Sequence, residues 1–311
     1  MSPSDNSQYV DASLVPDAAF DDALRRVSYQ PGMLLGLEAT RSEQDFHRRR
    51  LTRHGYWLHG SGTVAGLRVS LAADDPGDDM TQVRARLLVS PGIGVDGLGR
   101  EVTVGEPYWI DLGAWLSTQY SNADAWGALV RDGLDVERNI LWLTVTMRYQ
   151  DVPSGLQPVM ATDVNAGTDP VEPSRIKDSV CLELIAELPG VPQIWPHPFA
   201  AHNGLPDYAS LADKLGHGER ALLEGASGQT RRQLELGARL LFALGEDGHA
   251  LETRQKATIT AAELARTMLA RIAVQLTEDR QLIVNPNRID VDNLSRPFLF
   301  NAATLARLVR E

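Results

Sequence analysis

A change of hydrophobic period at Gly60-Ser61-Gly62 constrains this chain more than any other feature. Upstream, apolar residues recur at helical spacing. Ser42-Glu43-Gln44-Asp45 is a Ser-x-x-Asp capping pattern, which places a hydroxyl and a carboxylate beside the free N–H groups of a first helical turn. At about 100° per residue, Phe46, Leu51, Trp57 and Leu58 share one arc, with His47 and His54 inside it and Arg48, Arg49 and Arg53 outside. This spacing predicts an amphipathic helix over 42–59 that stops at Gly60. Downstream the period becomes two. Ala65, Leu67, Val69 and Leu71 alternate with Gly66, Arg68 and Ser70, the signature of a half-buried strand over 63–71. A second strand over 83–89 sets Val83, Ala85, Leu87 and Val89 against Arg84, Arg86 and Leu88. The turn between them is Asp74-Asp75-Pro76-Gly77-Asp78-Asp79. Short strands at 93–95 and 101–104, joined by Asp96-Gly97-Leu98-Gly99, complete a compact antiparallel unit of about four strands.

The rest of the chain adds to this unit. Positions 105–139 carry apolar residues at helical spacing around Trp109, Leu112, Trp115 and Leu116. Residues 140–149 form the strongest strand pattern, with Leu141, Leu143, Val145, Met147 and Tyr149 on one face. A loop rich in Pro, Gly, Asp and Thr is expected over 150–174, and a returning strand over 179–188. Pro189, Pro192, Pro196, Pro198 and Pro206 then open a different section, with helical stretches near 209–215, 219–223 and 230–244. Thr260-Ala261-Ala262-Glu263 is a second capping box, starting a helix that leads to a strand at 272–276, which pairs with 281–284. A short helix closes the pattern at 302–309.

The expected fold is α+β and β-rich: an antiparallel sheet or sandwich core with an N-terminal amphipathic helix and an inserted helical subdomain. The corresponding division is an N-terminal arm at 1–28, a helical assembly segment at 29–60 and an antiparallel β domain at 61–188. A helical insertion follows at 189–255, and a C-terminal helix and strands at 256–311 complete the β domain. A length of 311 residues fits about two such units.

Charge and composition exclude several classes. With 30 basic and 41 acidic side chains, the formal charge of −11 opposes the phosphate neutralisation on which nonspecific nucleic-acid binding depends. Cys181 is the only cysteine, so no internal disulfide or cysteine-rich metal site can form, and its apolar surroundings read as those of a buried small hydrophobe. The polar, acidic stretch 1–22 lacks a basic-then-apolar signal, and no apolar run approaches the roughly 20 residues of a spanning helix. The expectation is synthesis in the cytoplasm without membrane insertion.

Each candidate for chemistry has a plainer reading beside it. His47, His54 and His59 lie seven and five residues apart, whereas helical zinc ligands sit at i and i+4, so these read as core or interface histidines. The acidic cluster at 74–79 lacks the alternating ligands and closing Glu of a calcium loop, and reads as a solvated hairpin tip. Asp96 and Glu101 flank one tight turn, where carboxylates cap backbone more often than they form a glycosidase pair. No Gly-Lys-Ser/Thr loop, Gly-x-Gly-x-x-Gly fingerprint or Gly-x-Ser-x-Gly elbow is present. The expectation is a protein without catalysis and without a cofactor.

Tyr29-Gln30-Pro31-Gly32-Met33-Leu34-Leu35-Gly36 leads into the helix, and Leu58-His59-Gly60-Ser61-Gly62-Thr63-Val64-Ala65-Gly66-Leu67 follows it. Pro91-Gly92-Ile93-Gly94-Val95-Asp96-Gly97-Leu98-Gly99-Arg100-Glu101-Val102 comes next. This order resembles a group of proteins found with phage tails and extracellular contractile injection systems. In them a helix ending in His-Gly precedes a Gly-x-Val-x-Gly-Leu strand, and a Pro-Gly-x-x-x-Asp-x-x-Gly-Arg-Glu turn follows. The resemblance covers residues 29–104, is weaker at 149–175 and 292–300, and transfers no catalytic residue.

The resemblance implies a structural role at the baseplate, or as a fibre or adaptor protein. Other tail or baseplate subunits would be its partners, and it would be oligomeric and carried in a tail-like particle. Its assembly and turn motif comprises His59, Gly60, Gly66, Pro91, Gly92, Asp96, Gly99, Arg100 and Glu101. The alternative is a carbohydrate- or receptor-binding module at a tail tip, using Trp109, Trp115, Trp126 or Trp142 as stacking platforms.

Overall fold

The computed structural model describes residues 24–73, 85–158, 171–189, 208–211, 213–242, 261–277 and 289–300. The chain opens with α1 (Leu37–His54), which widens into a π-turn over Gly55–His59. Six short strands follow: β1 (Gly62–Gly66), β2 (Val69–Ala73), β3 (Ala85–Val89), β4 (Gly92–Val95), β5 (Glu101–Val104) and β6 (Tyr108–Asp111). Helices α2 (Leu112–Ser121) and α3 (Ala123–Gly133) lead through β7 (Leu134–Asp135) to two long strands, β8 (Ile140–Pro158) and β9 (Val171–Ala186). Helices α4 (Tyr208–Leu211), α5 (His217–Gly225), α6 (Gly228–Leu241) and α7 (Ala261–Leu264) precede β10 (Arg266–Gln275) and β11 (Ile289–Asp292).

The fold is α+β with antiparallel sheets. β8 is the centre of the largest sheet: β10 lies along one edge with β11 beyond it, while β7 and then β9 occupy the other edge. Two three-stranded sheets, ordered β1-β4-β5 and β2-β3-β6, pack nearby. Leu141, Leu143, Val145 and Met147 of β8 share one continuous apolar cluster with Val69, Leu87 and Val89 of the second small sheet and Val102 and Val104 of β5. Leu112 and Leu129 seal it from the helical side. Alternation explains β3, whose Ala85, Leu87 and Val89 are fully buried while the residues between them are not. β10 is covered on both faces, so it reads as a nearly unbroken apolar run. A separate small cluster joins Leu215, Leu223 and Ala238 of the helical section, with Phe242 against it.

Several expectations need correction. The helix begins at Leu37, so Ser42 lies inside it and caps nothing; Gly36 occupies the N-cap without a side-chain bond. Leu37-Glu38-Ala39-Thr40-Arg41 contains no breaker, and helix continues upstream through it. The strand expected over 63–71 is broken at Leu67, which takes a left-handed φ of 53°, so β1 and β2 belong to different sheets. Trp109 stands on β6 rather than on a helix.

Within the loop expected over 150–174, residues 150–158 and 171–174 are instead paired strands of a two-stranded ribbon, and 159–170 lie outside the described residues. β8 and β9 stay paired from Leu143↔Ala186 out to Pro158↔Val171. Pro153, Pro158 and Pro173 are tolerated because beyond Arg148 each strand has only one ladder partner, leaving an outer edge where a missing N–H costs nothing. The strand expected at 272–276 starts earlier, at Arg266, and pairs with β11. Positions 74–79, 281–284 and 302–309 lie outside the described residues, as do most of the 1–28 arm and much of 189–255.

Candidate functional site

The predicted motif residues converge on a junction where α1, β1, β4 and the β4–β5 turn meet backbone to backbone. Gly99 has a left-handed φ of 85°, and a Cβ there would sit 2.3 Å from the Thr52 carbonyl oxygen and 2.8 Å from the Tyr56 Cβ. Gly55 faces it from the helix, where an added Cβ would lie 2.5 Å from the Gly99 carbonyl oxygen. Two glycines thus let the turn press against the end of α1. Thr52 and Tyr56 are the buried residues of this helical segment. Gly60, with φ 76°, ends the π-turn and donates its N–H to the carbonyls of Gly55 and Tyr56, each at 3.2 Å.

The second contact is Gly66 against Gly92, which are register partners across β1 and β4. A Cβ on Gly66 would be 2.2 Å from the Pro91 carbonyl oxygen, and one on Gly92 would be 2.3 Å from the Leu67 nitrogen. Close approach here requires residues without side chains.

Asp96 holds the turn from within. It is fully buried, and its Oδ1 accepts the N–H groups of Leu98 at 2.9 Å and Arg100 at 2.8 Å. Its Oδ2 accepts the Arg100 Nε–H at 2.8 Å. Burial pushes the Asp96 carboxyl above its ordinary value, while the Arg100 charge and the N–H donors pull the other way. The Arg100 guanidinium lies over the Tyr149 ring, 5.2 Å from its centroid. The Tyr149 hydroxyl in turn meets Asp151 at 2.5 Å and Asp178 at 2.8 Å. Burial, and then those two carboxylates, push that hydroxyl well above the ordinary tyrosine range. The turn is thereby tied to the base of the β8–β9 ribbon.

A strap from the C-terminal region closes the junction. Asn293 accepts the Val69 N–H at 2.8 Å and donates to the Val69 carbonyl at 2.9 Å. Buried Arg296 donates to the Leu67 carbonyl, and burial lowers its pKa from the usual arginine range. The Pro297 carbonyl accepts the Thr63 N–H at 2.9 Å, and Leu299 donates back to Thr63 at 2.9 Å.

Of the predicted residues, Gly60, Gly66, Pro91, Gly92, Asp96, Gly99 and Arg100 belong to this junction. His59 and Glu101 are exposed beside it. Among the histidines, His47, His54 and His59 are all exposed, so none packs in the core of this chain. His47 meets Glu43 at 3.0 Å, and His54 stacks edgewise on His59. Asp96 and Glu101 share no cleft, because one carboxyl is sealed and the other is in solvent. Cys181 is half-buried on β9, more open than its surroundings implied. Trp115 and Trp126 pack against the core, whereas Trp109 is exposed with the Arg86 guanidinium 4.6 Å above its ring.

Thr52, Gly55, Tyr56, Tyr149 and the 293–299 strap were missed as members of the site. A glycine inside an otherwise helical pattern was the available signal for Gly55. Among the described residues, no cluster of three or more His, Cys, Asp or Glu is placed to hold a metal ion, and no helix is long and apolar enough to cross a membrane. The geometry builds a close backbone crossing around a buried carboxylate. No family model matches this chain, and no curated protein matches it in sequence.

Proposed function

We propose that this chain is a structural component of a phage-tail-like contractile injection particle, at the baseplate or as a fibre or adaptor protein. One observation carries the reading: two elements leave the core and expose apolar side chains. The first is α1, where Leu37, Leu51 and Leu58 are exposed, with Leu51 at 71 %. The second is the ribbon, where Leu156, Val171 and Ile176 are exposed. Most of a helix's stability in a protein comes from packing one of its faces rather than from propensity, and a two-stranded ribbon is marginal in water by itself. Contact with other subunits would stabilise both, and the glycine junction would fix the direction in which α1 leaves the sheets.

In this reading the protein acts by assembly rather than catalysis. Other tail or baseplate subunits are its partners, and it is made in the cytoplasm and carried in the particle. The test is to purify intact particles and measure whether this chain copurifies at fixed stoichiometry. Free chain with none in the particles overturns the proposal. A carbohydrate- or receptor-binding role at a tail tip is favoured by a single feature, the exposed Trp109 beside Arg86. Glycan-array binding that Trp109→Ala abolishes without unfolding would establish it.

A further inference from the structure

We propose that α1 is a homodimer contact, in which two copies of this chain lay their helices side by side, parallel and in register. This goes beyond the tail reading by naming the partner, and rests on its premise that the segment is a contact surface. Leu37, Gln44 and Leu51 recur at seven-residue intervals and are all exposed. Over such an interval an α-helix returns to within about 20° of the same direction, so the three form one stripe, with Thr40 and His47 beside it. Thr52 and Tyr56, which meet the β4–β5 turn, lie on another side. The stripe therefore faces away from the protein's own core.

Charge selects both the partner and the direction. Glu43 and Arg50 flank the stripe on one side, while Arg41 and Arg48 flank it on the other, and in a parallel pair Arg50 meets only Gly55. In a parallel, in-register pair, Glu43 of each copy faces Arg48 of the second copy, and no like charges meet across the seam. An antiparallel pair would set Arg41 and Arg48 against Arg48 and Arg41. The Val27 N–H and His47 hold the Glu43 carboxylate in place at 3.1 Å and 3.0 Å, and its remaining lone pairs can still accept.

A second feature favours the same direction. Met33, Leu34 and Leu35, just before the helix, are exposed, with Leu34 at 94 %. Parallel pairing brings these residues against their own counterparts and covers them. Antiparallel pairing would place them at opposite ends of a helix about 27 Å long.

The test uses the full chain with Cys181→Ser, which removes its only cysteine. Leu37→Cys and Leu51→Cys are then introduced separately and oxidised gently, alone and mixed. Each is expected to cross-link to its own kind, with no mixed product between positions 37 and 51. In the unmodified chain, light scattering should report a mass that doubles with concentration. Leu51→Glu should abolish that rise, while the thermal midpoint read at concentrations where both chains are monomeric stays unchanged, because Leu51 is exposed in the monomer. A single-chain mass at every concentration up to about a millimolar, a dimer indifferent to Leu51→Glu, or a dominant 37–51 product would each overturn the proposal. Particle incorporation is read separately. A monomer that still joins particles sinks the dimer alone, and a dimer missing from particles sinks the tail reading alone.

Discussion

Replacing Gly99 with Ala tests whether the glycine junction holds α1 to the sheets. Two costs add at this position. The left-handed φ of 85° disfavours any Cβ, at about 1–2 kcal/mol. The new methyl would also enter a space bounded by the Thr52 carbonyl at 2.3 Å and the Tyr56 nitrogen at 2.9 Å. Those atoms are backbone and cannot rotate aside, so overpacking of about 1–3 kcal/mol is expected. The sum, about 2–5 kcal/mol, is a large fraction of the stability of an ordinary domain.

Urea denaturation should show a lower midpoint with an unchanged slope, the mark of lost stability without altered compactness. Gly105→Ala is the control. Gly105 has ordinary backbone, and a Cβ there would meet nothing within 4 Å, so its midpoint should stay within about 0.5 kcal/mol of the unmodified chain. Should the chain relieve the clash by releasing α1, amide exchange at Tyr56 and Gly60 would rise sharply while the sheets stay protected. A Gly99→Ala chain with unchanged midpoint and unchanged exchange at those amides would refute the argument.

Other perturbations reach the same junction from different sides. Asp96→Ala leaves the largely buried Arg100 without its carboxylate and should cost about 3–5 kcal/mol in the same denaturation assay. Asp96→Asn should cost less, because Oδ1 can still accept from the Leu98 and Arg100 N–H groups while the Arg100 Nε and Nη2 contacts to Oδ2 are lost; an equal cost would show that the charge dominates. Asn293→Ala removes the partner of both Val69 backbone groups and should cost about 1–3 kcal/mol, with faster amide exchange at Val69. The Tyr149 hydroxyl titrates above its ordinary value of 10.0 in the folded chain. As pH rises past that value, the unfolded chain releases this proton while the folded chain keeps it, so the contribution is full below the unfolded pKa and falls above it. Tyr149→Phe should therefore flatten the decline in denaturation midpoint from about pH 9 to about pH 11, and equal slopes would exclude the effect. Leu156→Asp should leave stability within about 0.5 kcal/mol, because the side chain is exposed, and should abolish recovery of the chain in particles.

The α+β class and most strands were legible because period-two alternation reports burial directly. The Ala85-to-Val89 pattern works this way, the apolar residues from Leu141 to Met147 all reach the core, and the Asp96 turn was legible from its own chemistry. What failed to show were features decided by distant partners. The break at Leu67 interrupts a pattern that alternates well, and its left-handed backbone is held by Asn293 and Arg296, more than 220 residues away. Pattern along the chain contains no record of such a clamp. The ribbon was hidden for the opposite reason. Pro153, Gly155 and Pro158 are breakers in a central strand, but in a two-stranded ribbon each residue has a free side, so the same residues cost little.

The helix shows how a correct element can carry an incorrect face. Periodicity placed Leu51 and Leu58 on an apolar arc, and an arc of that kind ordinarily turns inward. Here the inward position went to Thr52 and Tyr56, because among the described residues the helix end packs against the Gly99 turn. Contact with a bare backbone turn favours a small residue and a flat ring over branched leucines. The leucines are consequently left outside by the geometry of the glycines, not by any weakness in their own preference for burial. The same glycines that make the junction rigid therefore also expose the surface on which assembly is proposed, so a substitution that loosens the junction should weaken partner binding even where it touches no partner.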